Sequence, residues 1–146
     1  MAKYFTIYEF TKSSTASELG IDNTPENDAV YDNILELMRV LDGFREYWTK
    51  ICKEEEYGNP SIIVNSGYRC RELNEAVGGV ETSAHRIGSA SDIMPANKKL
   101  DEFKKHIKDY LIKNNIDFDQ LIFYSNFVHL GLKNKRGERR KMIFKK

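Results

Sequence analysis

Apolar residues recur at three- and four-residue steps through one long stretch of the chain: Val30, Ile34, Leu37, Leu41, Phe44, Trp48 and Ile51. That period lays one stripe along a helix of about 25 residues. Just ahead of it, "DNTPEND" reads as a helix start, with Thr24 as the cap, Pro25 at the first helical position and Glu26 in the first turn. "EEEYGNP" ends the helix, because Gly58 and Pro60 break helical geometry. A second amphipathic pattern, "NKKLDEFKKHIKDYLIKNN", turns Leu100, Phe103, Ile107 and Tyr110 inward and its lysines outward.

Elsewhere the apolar runs are shorter. "SIIVNSGY" reads as a buried strand entering a turn at Gly67, and "CRELNEAVGG" as a short helix stopped by Gly78 and Gly79. Residues 89–94 form a strand carrying Asp92, and "DQLIFY" and "FVHLGL" are two more short strands. "NKRGE" reads as a hairpin turn into a last strand, "RRKMIF". Helices first and a small, mainly antiparallel sheet afterwards predict an α+β fold. The expected organisation is one domain over residues 1–146, helical to about residue 57 and sheet-bearing from there on.

Composition adds little to this and removes several classes. A chain of 146 residues with 40% hydrophobic and 31% charged positions can bury a core. A net charge of +1 gives no overall field for nucleic acid. No apolar run is long enough to span a membrane. "MAKYFTIYEF" lacks the apolar core of a secretory signal, so synthesis in the cytoplasm is expected. Charge is uneven only at the end, where residues 133–146 hold eight Lys or Arg and one Glu. This predicts a strand edge protected by charge, or else a contact with an anionic polymer. Cys52 and Cys70 have no CxxC neighbour, so no thiolate metal site is expected. Cys52 reads as the apolar end of the long helix and Cys70 as incidental, a bridge between them being the lesser alternative.

Chemistry gathers around "SAHRIGSASD", where His85 and Asp92 stand seven positions apart among small residues. The chain has three histidines. His106 lies among lysines on a helix and reads as a surface residue. His129, in the middle of "FVHLGL", reads either as a hydrogen-bonded core histidine or as a ligand. His85 alone would be a loop residue. Together, His85, Asp92 and His129 would suffice for a catalytic zinc site with one open position.

"SAHRIGSASD" also resembles the signature Ser-x-His-x-x-Gly-x-Ala-x-Asp of the zinc D-alanyl-D-alanine carboxypeptidase family, which includes cell-wall carboxypeptidases and phage L-alanyl-D-glutamate endolysins. "FTIYEFTKSSTASELGIDNTP", "NSGYRCRELNEAVGG" and "DQLIFYSNFVHLGL" extend the resemblance to a phage and prophage branch across nearly the whole chain. The resemblance implies a fold shared with hedgehog signalling domains and one zinc ion held by His85, Asp92 and His129. It implies that Arg69 pairs with substrate carboxylate or carbonyl groups, a task suited to its planar, permanently charged fork. It places Ser83 near the metal or substrate.

One part of the pattern is missing. The resemblance calls for a carboxylate base three residues before the last histidine, where this chain has Asn126, or just after the "QLI" strand, where it has Phe123 and Tyr124. Three outcomes are expected in its place: help from Tyr124, which could also stabilise the oxyanion; a carboxylate reaching in from Asp119 or Glu72; or binding without cleavage. The resulting expectation is a zinc metallopeptidase of peptidoglycan stem peptides, released to the cell wall by a partner such as a holin. Its alternative is a non-catalytic wall-binding or phage structural module.

Overall fold

The computed structural model of the chain describes residues 3–146, so Met1 and Ala2 of "MAKYFTIYEF" lie outside the described residues. The described residues form five α-helices, one 3₁₀ turn and five strands, an α+β arrangement. In chain order these are α1 (Ile7–Thr11), α2 (Ser14–Leu19), α3 (Asp28–Glu54), β1 (Ile62–Ser66), α4 (Arg71–Ala76), the 3₁₀ turn Ala84–Ile87, β2 (Ala90–Pro95), α5 (Leu100–Lys113), β3 (Gln120–Phe123), β4 (Val128–Gly131) and β5 (Met142–Lys145).

The long stripe becomes α3, with Val30, Ile34, Leu37, Leu41, Phe44 and Trp48 buried and Ile51 partly so. Its start lies later than the sequence suggests. Asp22 Oδ1 accepts from both the N–H and the hydroxyl of Thr24, which occupies that hydroxyl in a local turn. Asn27 caps instead, its Oδ1 accepting from Val30 N–H at 2.9 Å. Phe103 and Ile107 of α5 meet this helix in an aromatic cluster. The Phe103 ring stands edge-on to Phe44 at 5.3 Å and to Trp48 at 5.4 Å. His106 is half-buried here rather than a surface residue, its ring packed against Tyr47 and Trp48.

The sheet runs β1-β2-β4-β3-β5, antiparallel except for β5, which runs parallel to β3. Ile62, Val64, Ile93, Val128, Leu130 and Leu121 join the core that α3 and α5 cover. Strand alternation sends Asp92 and His129 to the opposite face. The expected hairpin into the last strand does not form. The Asn134–Glu138 turn exists, closed by Asn134 N–H to Glu138 O at 3.2 Å. Its chain, however, crosses the end of β3 and pairs on that strand's far side, Gln120 opposite Met142. A turn sequence dictates a reversal, and the open edge decides where the returning strand lands. β5 is thus an edge strand bearing exposed Lys145, as the charge run suggests.

One side chain fastens the end of α1 to the segment that follows β1. Asn23 is buried, with Nδ2 donating to Thr11 O at 2.8 Å and Tyr68 O at 2.9 Å while Oδ1 accepts from Cys70 N–H at 2.7 Å. Both cysteines are free, with Cys52 buried and Cys70 half-buried. Among the described residues no helix is long and apolar enough to cross a membrane. Replacing Asn23 by Ala leaves buried backbone groups unpaired and should destabilise the protein by about 2–4 kcal/mol. Urea unfolding checks this, and a loss below about 0.5 kcal/mol would show that the clamp is not needed.

Candidate functional site

Three segments converge on the face of the sheet away from α3. β2 and β4 pair so that Asp92 stands directly opposite His129, and Ser66 of β1 lies opposite Asp92 on the other side. The 3₁₀ turn Ala84–Ile87 then brings His85 over them. Ser83 opens this turn, its hydroxyl accepting from His85 N–H at 3.2 Å. Gly88 closes it at φ 77°, a left-handed conformation that suits glycine. A Cβ there would also press on Ile34 and the Val30 carbonyl of α3. The small residues of this stretch let the loop lie flat against the long helix.

His85 is buried, and its Nδ1 lies 2.7 Å from Gly67 O. A carbonyl can only accept, so Nδ1 carries the hydrogen and Nε2 keeps its lone pair. That Nε2 faces Asp92 Oδ1 at 3.4 Å, and the same oxygen lies 2.9 Å from His129 Nδ1. Two electron-rich atoms so close call for a cation between them. Ligand atoms of His85, Asp92 and His129 all lie within 4.8 Å of one another, so the cluster could hold a metal ion.

Electrostatics disfavour a proton in that role on His85. Burial pushes its pKa below the ordinary imidazole value, against the pull of Asp92. Burial would raise the Asp92 carboxyl, but the hydrogen bond with His129 outweighs it and holds the group well below the usual carboxylate range. Gly67 matters twice here. Its carbonyl orients His85, and a Cβ on it would strike the Phe10 backbone, whose carbonyl accepts from Tyr68 N–H at 2.7 Å. Nothing in the local sequence marked that carbonyl as an orienting group.

A cleft of about 670 Å³ opens over the cluster. Arg69 lines it, half-buried, its backbone N–H bonded to His85 O at 3.0 Å and its Nε without a partner. Burial lowers the Arg69 pKa and Asp92 opposes this, and the guanidinium stays charged. Ser83 and Tyr124 line the cleft too, the Tyr124 ring stacked on Phe127 at 4.4 Å. Asn126 is exposed in the β3–β4 turn and takes no part in the cleft wall, and Glu72 is exposed on α4. Asp119 is buried at the cleft, but Arg140 grips both its oxygens, Nε to Oδ1 at 2.7 Å and Nη2 to Oδ2 at 2.9 Å. Hydrogen bonding by Arg140 holds the Asp119 pKa down, which makes it a weaker base. Arg140 and its neighbours on this wall went unmarked in the sequence, where they belonged to an undifferentiated basic run.

The depressed His85 has a consequence for stability. An unfolded chain takes up a proton near the ordinary value of 6.5 that the folded chain resists. Above that pH the group is neutral in both states and contributes nothing to the balance. As pH falls below it, stability of the metal-free protein should fall. Denaturation midpoints from about pH 7.5 to 5.5 should drop in wild type and drop less in His85→Gln. Equal slopes would place the acid sensitivity on other groups.

Among curated proteins no sequence matches this chain. A family model described as Peptidase M15 matches residues 3–131, from ahead of α1 to the end of β4, and so takes in the whole His–Asp–His cluster and Arg69. The chain belongs to the Peptidase M15 family of zinc D-Ala-D-Ala carboxypeptidase-like hydrolases.

Proposed function

We propose that this chain is a zinc-dependent peptidase acting on peptidoglycan stem peptides, as a D-Ala-D-Ala carboxypeptidase or an endolysin-type endopeptidase. The observation that supports it most is the lone pair of His85 Nε2 set 3.4 Å from a carboxylate oxygen, with the His85 tautomer held by Gly67. His85, Asp92 and His129 would hold one zinc ion and leave a position open toward the cleft. Polarisation of a carbonyl and acidification of water are the chemistry that zinc supplies in such a set.

The remaining work falls to the chain's own residues. Arg69 binds a stem-peptide carboxylate or carbonyl with its partly buried fork, which fixes the bond presented to the cluster. Ser83 orients His85 through its backbone and keeps its own hydroxyl hydrogen for substrate. Tyr124 lines the cleft where a hydroxyl can donate to the oxygen that gains charge in the reaction. Cleavage would take place at the bacterial cell wall, and a phage or prophage origin with release by a holin fits the sequence resemblance.

A second reading rests on a specific observation. No free carboxylate stands ready as a base among the described cleft residues: Asp92 serves the histidines, Asp119 is gripped by Arg140, and Glu138 accepts from Asn134 Nδ2 at 2.8 Å. On that reading the protein binds zinc and peptide without cutting. Elemental analysis paired with mass spectrometry of stem-peptide cleavage separates the two. The peptidase reading expects one zinc per chain and cleavage, both lost in His85→Ala. Tyr124→Phe should then lower kcat about tenfold or more with little change in KM. Zinc without cleavage favours the binding module, and no zinc in protein never exposed to chelator overturns both.

A further inference from the structure

The family match ends at residue 131, yet the cleft continues beyond it. Asn134, Lys135, Arg136, Glu138 and Arg140 line the cleft together with the loop that carries Ser83 and His85. This segment is fixed in place. Arg140 grips the buried Asp119, Arg139 Nη2 reaches Glu36 Oε1 at 3.1 Å, and Lys141 Nζ lies 3.7 Å from Asp117. Backbone bonds from Lys141 N–H to Phe118 O and from Met142 N–H to Asp119 O fasten the same stretch to the start of β3.

At its tip the turn is organised by a single side chain. Asn134 Oδ1 accepts from Arg136 N–H at 3.0 Å and Glu138 N–H at 2.9 Å, and its Nδ2 engages the Glu138 carboxylate. Gly137, at φ 80°, completes the reversal. Lys135 and Arg136 are therefore held at the apex of a closed turn. Among the described residues the neighbouring cations at 139, 140 and 141 each have a carboxylate partner, while Lys135 and Arg136 have none. Lys135 and Arg136 line the cleft, as does Lys146, and among the described residues none of the three is in an ion pair. The carboxylates lining the cleft are engaged elsewhere, so an anionic group entering it meets Lys135 and Arg136 without competition from them.

We propose that the Asn134–Glu138 turn is a second anion-recognition point of the cleft, in which Lys135 and Arg136 bind a substrate carboxylate other than the one held by Arg69. This rests on the peptidase reading for the identity of the substrate. A peptide held at two anionic groups along the cleft has its register fixed as well as its affinity raised. Peptides with a single charge would lose one of the two anchors.

Two synthetic stem pentapeptides test this, identical except that the α-carboxyl of the D-glutamate is free in one and amidated in the other. The proteins are wild type, Lys135→Glu/Arg136→Glu and the milder Lys135→Ser/Arg136→Ser, each checked for unchanged zinc content and melting temperature. The comparison is of kcat/KM where a peptide is cleaved and of Kd where it is only bound. Wild type should favour the free carboxylate by about fivefold or more, and both variants should lose that preference. Added salt should erode it in wild type alone. Equal treatment of the two peptides by wild type, or a preference retained by the variants, overturns the proposal, as does binding of neither peptide. Zinc content and cleavage in the same samples report on the peptidase reading, whereas the ratio between peptides reports on the turn alone.

Discussion

Asp92 is the point on which the functional face depends. One of its oxygens serves His85 and His129 at once, from a strand paired on both sides. A carboxylate so enclosed is tolerable only if cationic or hydrogen-bonding groups surround it. The two rings supply that surrounding, and their own orientations follow from partners further out. Gly67 O sets the His85 tautomer, and the β2–β4 register sets His129. The geometry of this candidate metal cluster is thus a product of strand pairing and one carbonyl.

The helical layer serves the same end from behind. Ile34 and Val30 of α3 form the floor against which Gly88 lies, so the long helix supports the His85 turn directly. The core that α3 shares with α5 and the sheet holds that floor still. Interiors packed this densely transmit small shifts, which makes the positions beneath the loop sensitive to volume. Packing and chemistry meet at Gly67 too, where α1 approaches closely enough to exclude any side chain.

The acid–base side of the cleft is arranged differently from its metal side. Every carboxylate there already has a partner, so on the peptidase reading a group that moves a proton must either be a hydroxyl or be released from its partner during binding. Arg140 binds Asp119 through a solvent-reachable guanidinium, which is the more yielding half of that pair. Lys135 and Arg136 line the same cleft from the turn just before it in the chain. The charge run at the end of the chain thus divides, among the described residues, into cations pinned at 139, 140 and 141 and unpaired ones, of which Lys135, Arg136 and Lys146 line the cleft.

The sequence by itself determined what local periodicity and residue chemistry can determine. The apolar stripe marked α3, the alternation marked the strands, and the His85–Asp92 spacing with His129 marked the cluster, because each is carried by neighbours along the chain or by a motif. The α3 start was misplaced because Asp22 takes up the Thr24 hydroxyl and Asn27 caps the helix instead, and short-range signals do not rank such competitors. Only the tertiary structure decided that β5 lies parallel to β3, that His106 packs between Tyr47 and Trp48, that Asn126 faces solvent and that Asp119 is gripped from residue 140. These rest on which edge is open and which surfaces meet across long separations, a question of shape that no local pattern encodes.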